Sequence, residues 1–171
     1  NAPIGIYYKH SNVGSPTNTS IRIANNYIYN TSRNSIQLNA RYTVVENNIF
    51  GLNNSSVLFA EANGNPGGDY NRFTHNTVFS GGLYLPSETQ DRRLPPNNTL
   101  VPDDMPGSVG NLIKDNIILS GVSIHPYLAM PHGTVMDYNL YGGTITSYGN
   151  PNVTLAQWKT IYGQDMHSTA I

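Results

Sequence analysis

The residues able to do acid, base or charge chemistry gather in two stretches. Glu61 and Asp69 fall within positions 61–71, and Glu88, Asp91, Arg92, Arg93, Asp103 and Asp104 fall within positions 87–110. A glycosidase needs two carboxyl groups about 5 to 10 Å apart, and Glu61 with Asp69 or Glu88 are the candidates for that pair if the two stretches lie side by side. A lyase acting on uronic acids needs instead a cation over the substrate carboxylate and a Lys, Arg, His or Tyr to take the neighbouring proton. Lys9, His10, Arg41, Arg92, Arg93, His125 and Tyr127 supply those types. No spacing singles out one set, and carboxylates in loops are ordinarily just solvated. Asp69, Asp103 and Asp104 are oxygen ligands of the kind calcium takes, but no EF-hand or nonapeptide calcium pattern surrounds them, and no cofactor is expected.

The rest of the composition narrows the field. Only 11% of the 171 residues are charged, nine basic against ten acidic, which leaves no basic face for nucleic acid. Polarity comes instead from 23 asparagines, 16 glycines and 12 tyrosines, a surface suited to hydroxyl-rich ligands. Cysteine is absent, excluding disulfides, a thiolate nucleophile and thiolate zinc sites. No apolar run approaches the roughly 18 residues of a membrane span, and Asn1 opens without a signal-peptide pattern, so no membrane partner is expected. Sequons begin at Asn18, Asn30, Asn53, Asn54, Asn97 and Asn152, which a chain this rich in Asn, Ser and Thr contains by chance.

What must position the candidate groups is a repeat. Five segments align: IRIANNYIY from Ile21, TVVENNIFG from Thr43, RFTHNTVFS from Arg72, NLIKDNIIL from Asn111 and TVMDYNLYG from Thr134. Each carries an Asn at one place, Asn26, Asn48, Asn76, Asn116 and Asn139, with apolar residues on either side in strand, turn, strand order. A further short strand follows each, at 35–38, 56–59, 83–85, 122–124 and 144–146, and Gly5 to Tyr8 fits the same slot. The Asn spacings of 22, 28, 40 and 23 suit one turn of a stacked coil, the two longer ones carrying insertions at 61–71 and 87–110 whose Gly, Pro, Asn and Asp content reads as loop. Asn suits such a turn because it tolerates the left-handed backbone region and its amide bonds to the coils above and below. The pattern predicts an all-β, right-handed parallel β-helix of about six coils over 1–171, one module, with the Asn ladder as scaffold. An antiparallel β-sandwich is the runner-up. The ladder has its weakest point between Asn76 and Asn116, where the long insertion could shift the register.

Near the end, Thr154 to Gly163 reads as a short helix with Thr154 as N-cap, Gln157 at the capping-box position and Gly163 as the stop. Trp158, the only tryptophan, is expected to pack on a coil rather than stack on a ligand.

The Asn-X-Ile/Val-Phe/Tyr turn units, with Asp137-Tyr138-Asn139-Leu140-Tyr141 and then Trp158, Gly163, Gln164, Asp165, His167 and Ser168, resemble the pectate-lyase-like superfamily of right-handed β-helix proteins. The resemblance covers nearly the whole chain and is specific for fold rather than activity. It implies a secreted, carbohydrate-active protein, of which this chain is a C-terminal fragment or module. Its ends should then be covered by the helix, by another domain or by end-to-end contact with another chain. The function expected is recognition of a plant or algal cell-wall polysaccharide such as xylan or pectin. A fragment of a polysaccharide lyase or glycoside hydrolase is the alternative, and a structural or adhesive spike the third reading. The expected binding face is the outer side of the strand after each Asn turn. It carries Tyr7, Gln37, Leu58, Tyr84 and His125, with Arg41, Arg92, Arg93 and Tyr127 beside it.

Overall fold

A computed structural model describes residues 5–9, 21–32, 34–39, 42–51, 57–58, 70–85, 93–94, 99–100, 110–124, 133–147 and 150–171. The chain enters on β1 (Ile6–Lys9) and then runs through strands in groups of three. These are β2 (Ile21–Ala24), β3 (Tyr27–Tyr29) and β4 (Ile36–Asn39), then β5 (Thr43–Glu46), β6 (Ile49–Gly51) and β7 (Val57–Leu58). Next come β8 (Arg72–Thr74), β9 (Thr77–Val78) and β10 (Leu83–Leu85), followed by the small hairpin β11 (Arg93–Leu94) and β12 (Thr99–Leu100). The last groups are β13 (Leu112–Lys114), β14 (Ile117–Ile118) and β15 (Val122–Ile124), then β16 (Val135–Asp137), β17 (Leu140–Tyr141) and β18 (Ile145–Ser147). The chain finishes on β19 (Asn150–Val153), α1 (Leu155–Tyr162) and β20 (Thr169–Ala170).

Each member of a group joins a different sheet. One sheet stacks β2, β5, β8, β13 and β16, a second β3, β6, β9, β14, β17 and β20, and a third β1, β4, β7, β10, β15 and β18 with β19 at its edge. All these pairs are parallel except β18 with β19. The molecule is therefore a parallel β-solenoid with one short C-terminal helix, and the sandwich reading falls because a sandwich needs antiparallel neighbours. The count of about six coils is too high: β1 and β20 are single strands at the two ends and do not close a circuit.

The core is a stack of single residues per coil. Val45, Phe73, Ile113 and Met136 come from the first sheet, Phe50, Val78, Ile118 and Tyr141 from the second, and Ile36, Leu83, Val122 and Ile145 from the third, all buried. Strands of two to four residues suffice because each puts only one or two side chains inward, and the stack makes the core continuous.

The corner between the first and second sheets holds the expected ladder. The side-chain oxygen of Asn48 accepts from the Asn26 backbone N–H at 3.0 Å and from its amide Nδ2 at 2.9 Å. Asn76 does the same for Asn48, Asn116 for Asn76 and Asn139 for Asn116, with backbone bonds of 2.9, 2.9 and 3.1 Å. The insertion before Asn116 leaves the register intact. The amide bonds to neighbouring coils as expected, but the rung Asn is not the left-handed residue of the turn. The left-handed residue is the one before each rung: Asn25, Asn47, His75, Asp115 and Tyr138, with φ between 54° and 59°. Asn is required at the rung for its paired acceptor and donor, not for its backbone freedom.

A second, shorter ladder lies where the chain re-enters the first sheet. Asn71 accepts from the Thr43 N–H at 2.8 Å, Asn111 from the Asn71 N–H at 2.8 Å, and Thr134 Oγ1 from the Asn111 N–H at 3.2 Å. Here too the preceding residues, Tyr42, Tyr70, Gly110 and Gly133, are left-handed. Gly110 is glycine for a second reason: a Cβ there would stand 2.5 Å from the Tyr70 ring.

Candidate functional site

The third sheet carries the expected binding face. Gln37 lies between the fully buried Ile36 and Leu38, so its position is on the outer side of β4. Register then aligns Tyr7 with Gln37, Gln37 with Leu58, Leu58 with Tyr84, Tyr84 with Ser123 and Ser123 with Thr146. Residues in register on parallel strands share a face, so these positions form one column, one residue per coil. Its member after Tyr84 is Ser123, two residues before His125, so the row expected from sequence was misaligned there. The cause is the short strand: two outward positions were available and the turn length could not choose between them.

Of the remaining candidates, His125, Arg41, Arg92 and Tyr127 lie outside the described residues, as do Glu61, Asp69 and Glu88. So do His10, Asp91, Asp103 and Asp104. Arg93 stands in the hairpin within 87–110, opposite Leu100, so that stretch is not all loop. Gln37 accepts a hydrogen bond from Asn34 Nδ2 at 3.1 Å, which fixes its amide on the surface. The stretches 61–71 and 87–110 follow β7 and β10, which are neighbouring strands.

At the corner leading into this sheet the coils approach closely. A Cβ on Gly82 would stand 2.9 Å from the Gly121 carbonyl oxygen, and one on Gly121 would stand 2.6 Å from that of Thr144. Gly82 N–H donates to Ser120 Oγ at 2.8 Å. The bare backbone leaves a shallow groove of about 130 Å³ lined by Gly81, Gly82, Ser120, Gly121, Thr144 and Thr146, with Leu83 and Val122 at its floor. Thr146 belongs both to the groove and to the outward row, so groove and row are continuous.

At the C-terminal end the sequence held a feature that the candidates omitted. Asp165, 1% exposed, accepts from Asn139 Nδ2 at 3.1 Å, the Tyr141 hydroxyl at 3.0 Å, Ser168 Oγ at 2.6 Å and Trp158 Nε1 at 2.9 Å. The terminal rung is shared: Asp165 accepts the Asn139 amide, while Ser168 Oγ accepts the Asn139 N–H at 2.8 Å. Burial, then the neighbouring Asp165 charge, raises the Tyr141 phenol well above its ordinary value. Nearby, Asp137 meets the His167 ring at 2.7 Å and accepts the His167 N–H at 2.8 Å. Burial pushes the Asp137 carboxyl up, but the bonds from His167 and from the Tyr138 N–H, with the His167 charge, outweigh it and hold it below its ordinary value. Trp158 is fully buried, as expected.

Among the described residues, no three His, Cys, Asp or Glu gather as metal ligands, and no helix is long and apolar enough to cross a membrane. Comparisons with protein families, with curated proteins and with solved structures return no match. The class that fold and site define is thus a parallel β-solenoid, and the resemblance to the pectate-lyase-like superfamily rests on the sequence alone.

Proposed function

We propose that this chain recognises an extended polysaccharide on the outer face of its third sheet. The observation that supports the reading is the register row from Tyr7 through Tyr84 to Thr146, running into the glycine-walled groove at one residue per coil. Such a row repeats every ~4.8 Å, so a linear polymer lying across the strands meets a fresh side chain at each coil. Tyrosine offers an apolar ring with a hydroxyl, and Gln, Ser and Thr offer hydrogen bonds to sugar hydroxyls. The glycine corner brings backbone within reach where a side chain would stand in the way.

Affinity electrophoresis against xylan, pectin, alginate and β-glucan tests this, with a parallel assay for unsaturated or reducing ends. Tyr84→Ala is expected to weaken retardation about fivefold, the scale of one lost aromatic contact, with the melting temperature held. Retardation without product supports a binding module. Product from any polymer moves the reading to a lyase or glycosidase of this fold, and unaltered retardation by Tyr84→Ala removes the face.

A further inference from the structure

The second sheet presents outward rows of a different character. One runs Tyr27, Ile49, Thr77, Ile117, Leu140, Thr169 in register, and the residues two further on continue as Tyr29, Gly51, Phe79 and Leu119. Neither carries a charge, whereas the first sheet's outer side holds Arg22 paired with Glu46, as well as Arg72, Lys114 and Asp137. Large apolar side chains stand in solvent here: Tyr27 at 61%, Tyr29 at 57% and Phe79 at 53% exposed, with Ile49 between them and Ile117 one coil beyond Phe79. The Tyr27 and Tyr29 rings stack at 5.1 Å, and the Tyr27 ring lies 3.4 Å from where a Cβ of Gly51 would be. Tyr27 thus lies over the Gly51 position of the next coil at ordinary contact distance.

We infer that this strip is a second carbohydrate surface, specific for a neutral polysaccharide chain lying along the solenoid axis. Its dimensions choose the occupant. Six strands at ~4.8 Å give a length of about 24 Å, and two outward columns give a width of about 12 Å. The two columns together hold ten positions, Tyr27 to Thr169 and Tyr29 to Leu119, against the roughly 20–30 residues that each side of a stable protein pair contributes. The strip is too narrow for a folded partner or a second copy, and it has the shape of one extended chain. Lack of charge leaves nothing to pair with uronate carboxylates and costs nothing against a neutral sugar. Exposed tyrosine and phenylalanine rings meet the apolar C–H faces of sugar rings, and the Tyr and Thr hydroxyls meet the rims.

The inference takes its ligand class from the proposed function but uses a different face, so the two can be separated. The test compares the parent with Tyr29→Ala/Phe79→Ala and with Tyr84→Ala. All three go through affinity electrophoresis on xylan, β-glucan and alginate, with circular dichroism and melting to establish folding. Retardation by xylan or β-glucan should fall about fivefold or more in the double variant, while Tyr84→Ala keeps part of it. If the double variant, folded, binds neutral polymers like the parent while Tyr84→Ala does not, this surface is refuted and the first face stands. If the parent binds no polymer, both fall. Should the parent prove dimeric by light scattering and the double variant monomeric, the strip is a self-association surface and the inference is overturned. Tyr29→Phe/Phe79→Tyr keeps both rings and should retain binding, which guards against a purely structural loss.

Discussion

Single asparagines decide local stability in this chain according to depth in the stack. Asn76 is 1% exposed, and its Nδ2 donates to Val45 O at 2.9 Å while its oxygen serves both the Asn48 N–H and the Asn48 amide. Asn76→Ala takes the acceptor from the buried Asn48 N–H and the side-chain donor from Val45 O, while Asn48 Nδ2 keeps Ile23 O and Glu46 O. At ~1–3 kcal/mol for each buried bond left unmade, a loss of about 2–4 kcal/mol in urea unfolding is expected. Asn26 stands exposed at the end of the ladder, and Asn26→Ala should cost under about 1 kcal/mol. Equal losses would mean that the ladder adds nothing by being buried. The second ladder tolerates substitution by Thr134 because its rungs need only an acceptor, and it is less complete: Thr43 Oγ1 and Asn111 Nδ2 are buried without a partner. Asp137 gives a residue-scale pH effect. Its folded carboxyl is lowered, so the stabilisation is present above the ordinary carboxylate range and is lost as pH falls through the folded value. Protection of the His167 amide, taken relative to its intrinsic exchange rate at each pH, should therefore fall in acid below about pH 4, and Asp137→Ala should remove both that protection and its dependence on acid.

The C-terminal helix closes the solenoid rather than joining the repeat. Its eight residues are short for a free helix, and capping makes up part of the deficit. Thr154 Oγ1 accepts from the Gln157 N–H, the Gln157 side chain accepts from the Thr154 N–H, and left-handed Gly163 ends the helix. Trp158 then ties it to Asp165, which ties it to the ladder through Asn139. Because Trp158 is the only tryptophan, its fluorescence reports this closure. Asp165→Ala removes four hydrogen bonds to a charged group, each worth ~1.5–3 kcal/mol, and takes the acceptor from Trp158 Nε1 and the Tyr141 hydroxyl, while Asn139 Nδ2 keeps Ile113 O. In that variant the emission should shift red at a urea concentration where the far-ultraviolet strand signal persists. Coincident transitions would show the helix and the coils to be one cooperative unit. Trp158→Ala should lower the melting temperature and leave polysaccharide retardation unchanged in the protein that remains folded.

On the scale of the whole molecule, contacts run only between neighbouring coils, so stability should be graded along the axis. At the C-terminal side β19 lies on β18 and β20 on β17, and the helix packs beside them, which meets the expectation that the helix helps cover that end. At the other end β1, β2 and β3 are the last strands of their sheets among the described residues. Hydrogen exchange followed by mass spectrometry should find the strongest protection in β5, β8 and β13 and the weakest in β2 and β3. Uniform protection would instead indicate a single cooperative unfolding step.

The sequence by itself determined the ladder, the strand pairs around it, the helix with both caps and the burial of Trp158, because each follows from a period, a turn residue or a cap that acts over a few positions. It also carried the second ladder, since Asn71 and Asn111 stand five residues before Asn76 and Asn116, but with Thr43 and Thr134 at its ends that series is less regular than the first. Only tertiary structure decided which residue of each turn is left-handed, and that Ser123 rather than His125 follows Tyr84. Those depend on how coils of unequal length come into register. Only tertiary structure brought Asp165 and Ser168 together as the final rung, because residues that far along the chain meet Asn139 solely when the end folds back on the stack. The uncharged strip of Tyr27, Tyr29 and Phe79 stands one and three residues after each ladder Asn in the aligned repeats, so its columns were legible. Only tertiary structure decided that they face outward, because the alternate positions Phe50, Val78 and Ile118 are the ones buried in the core.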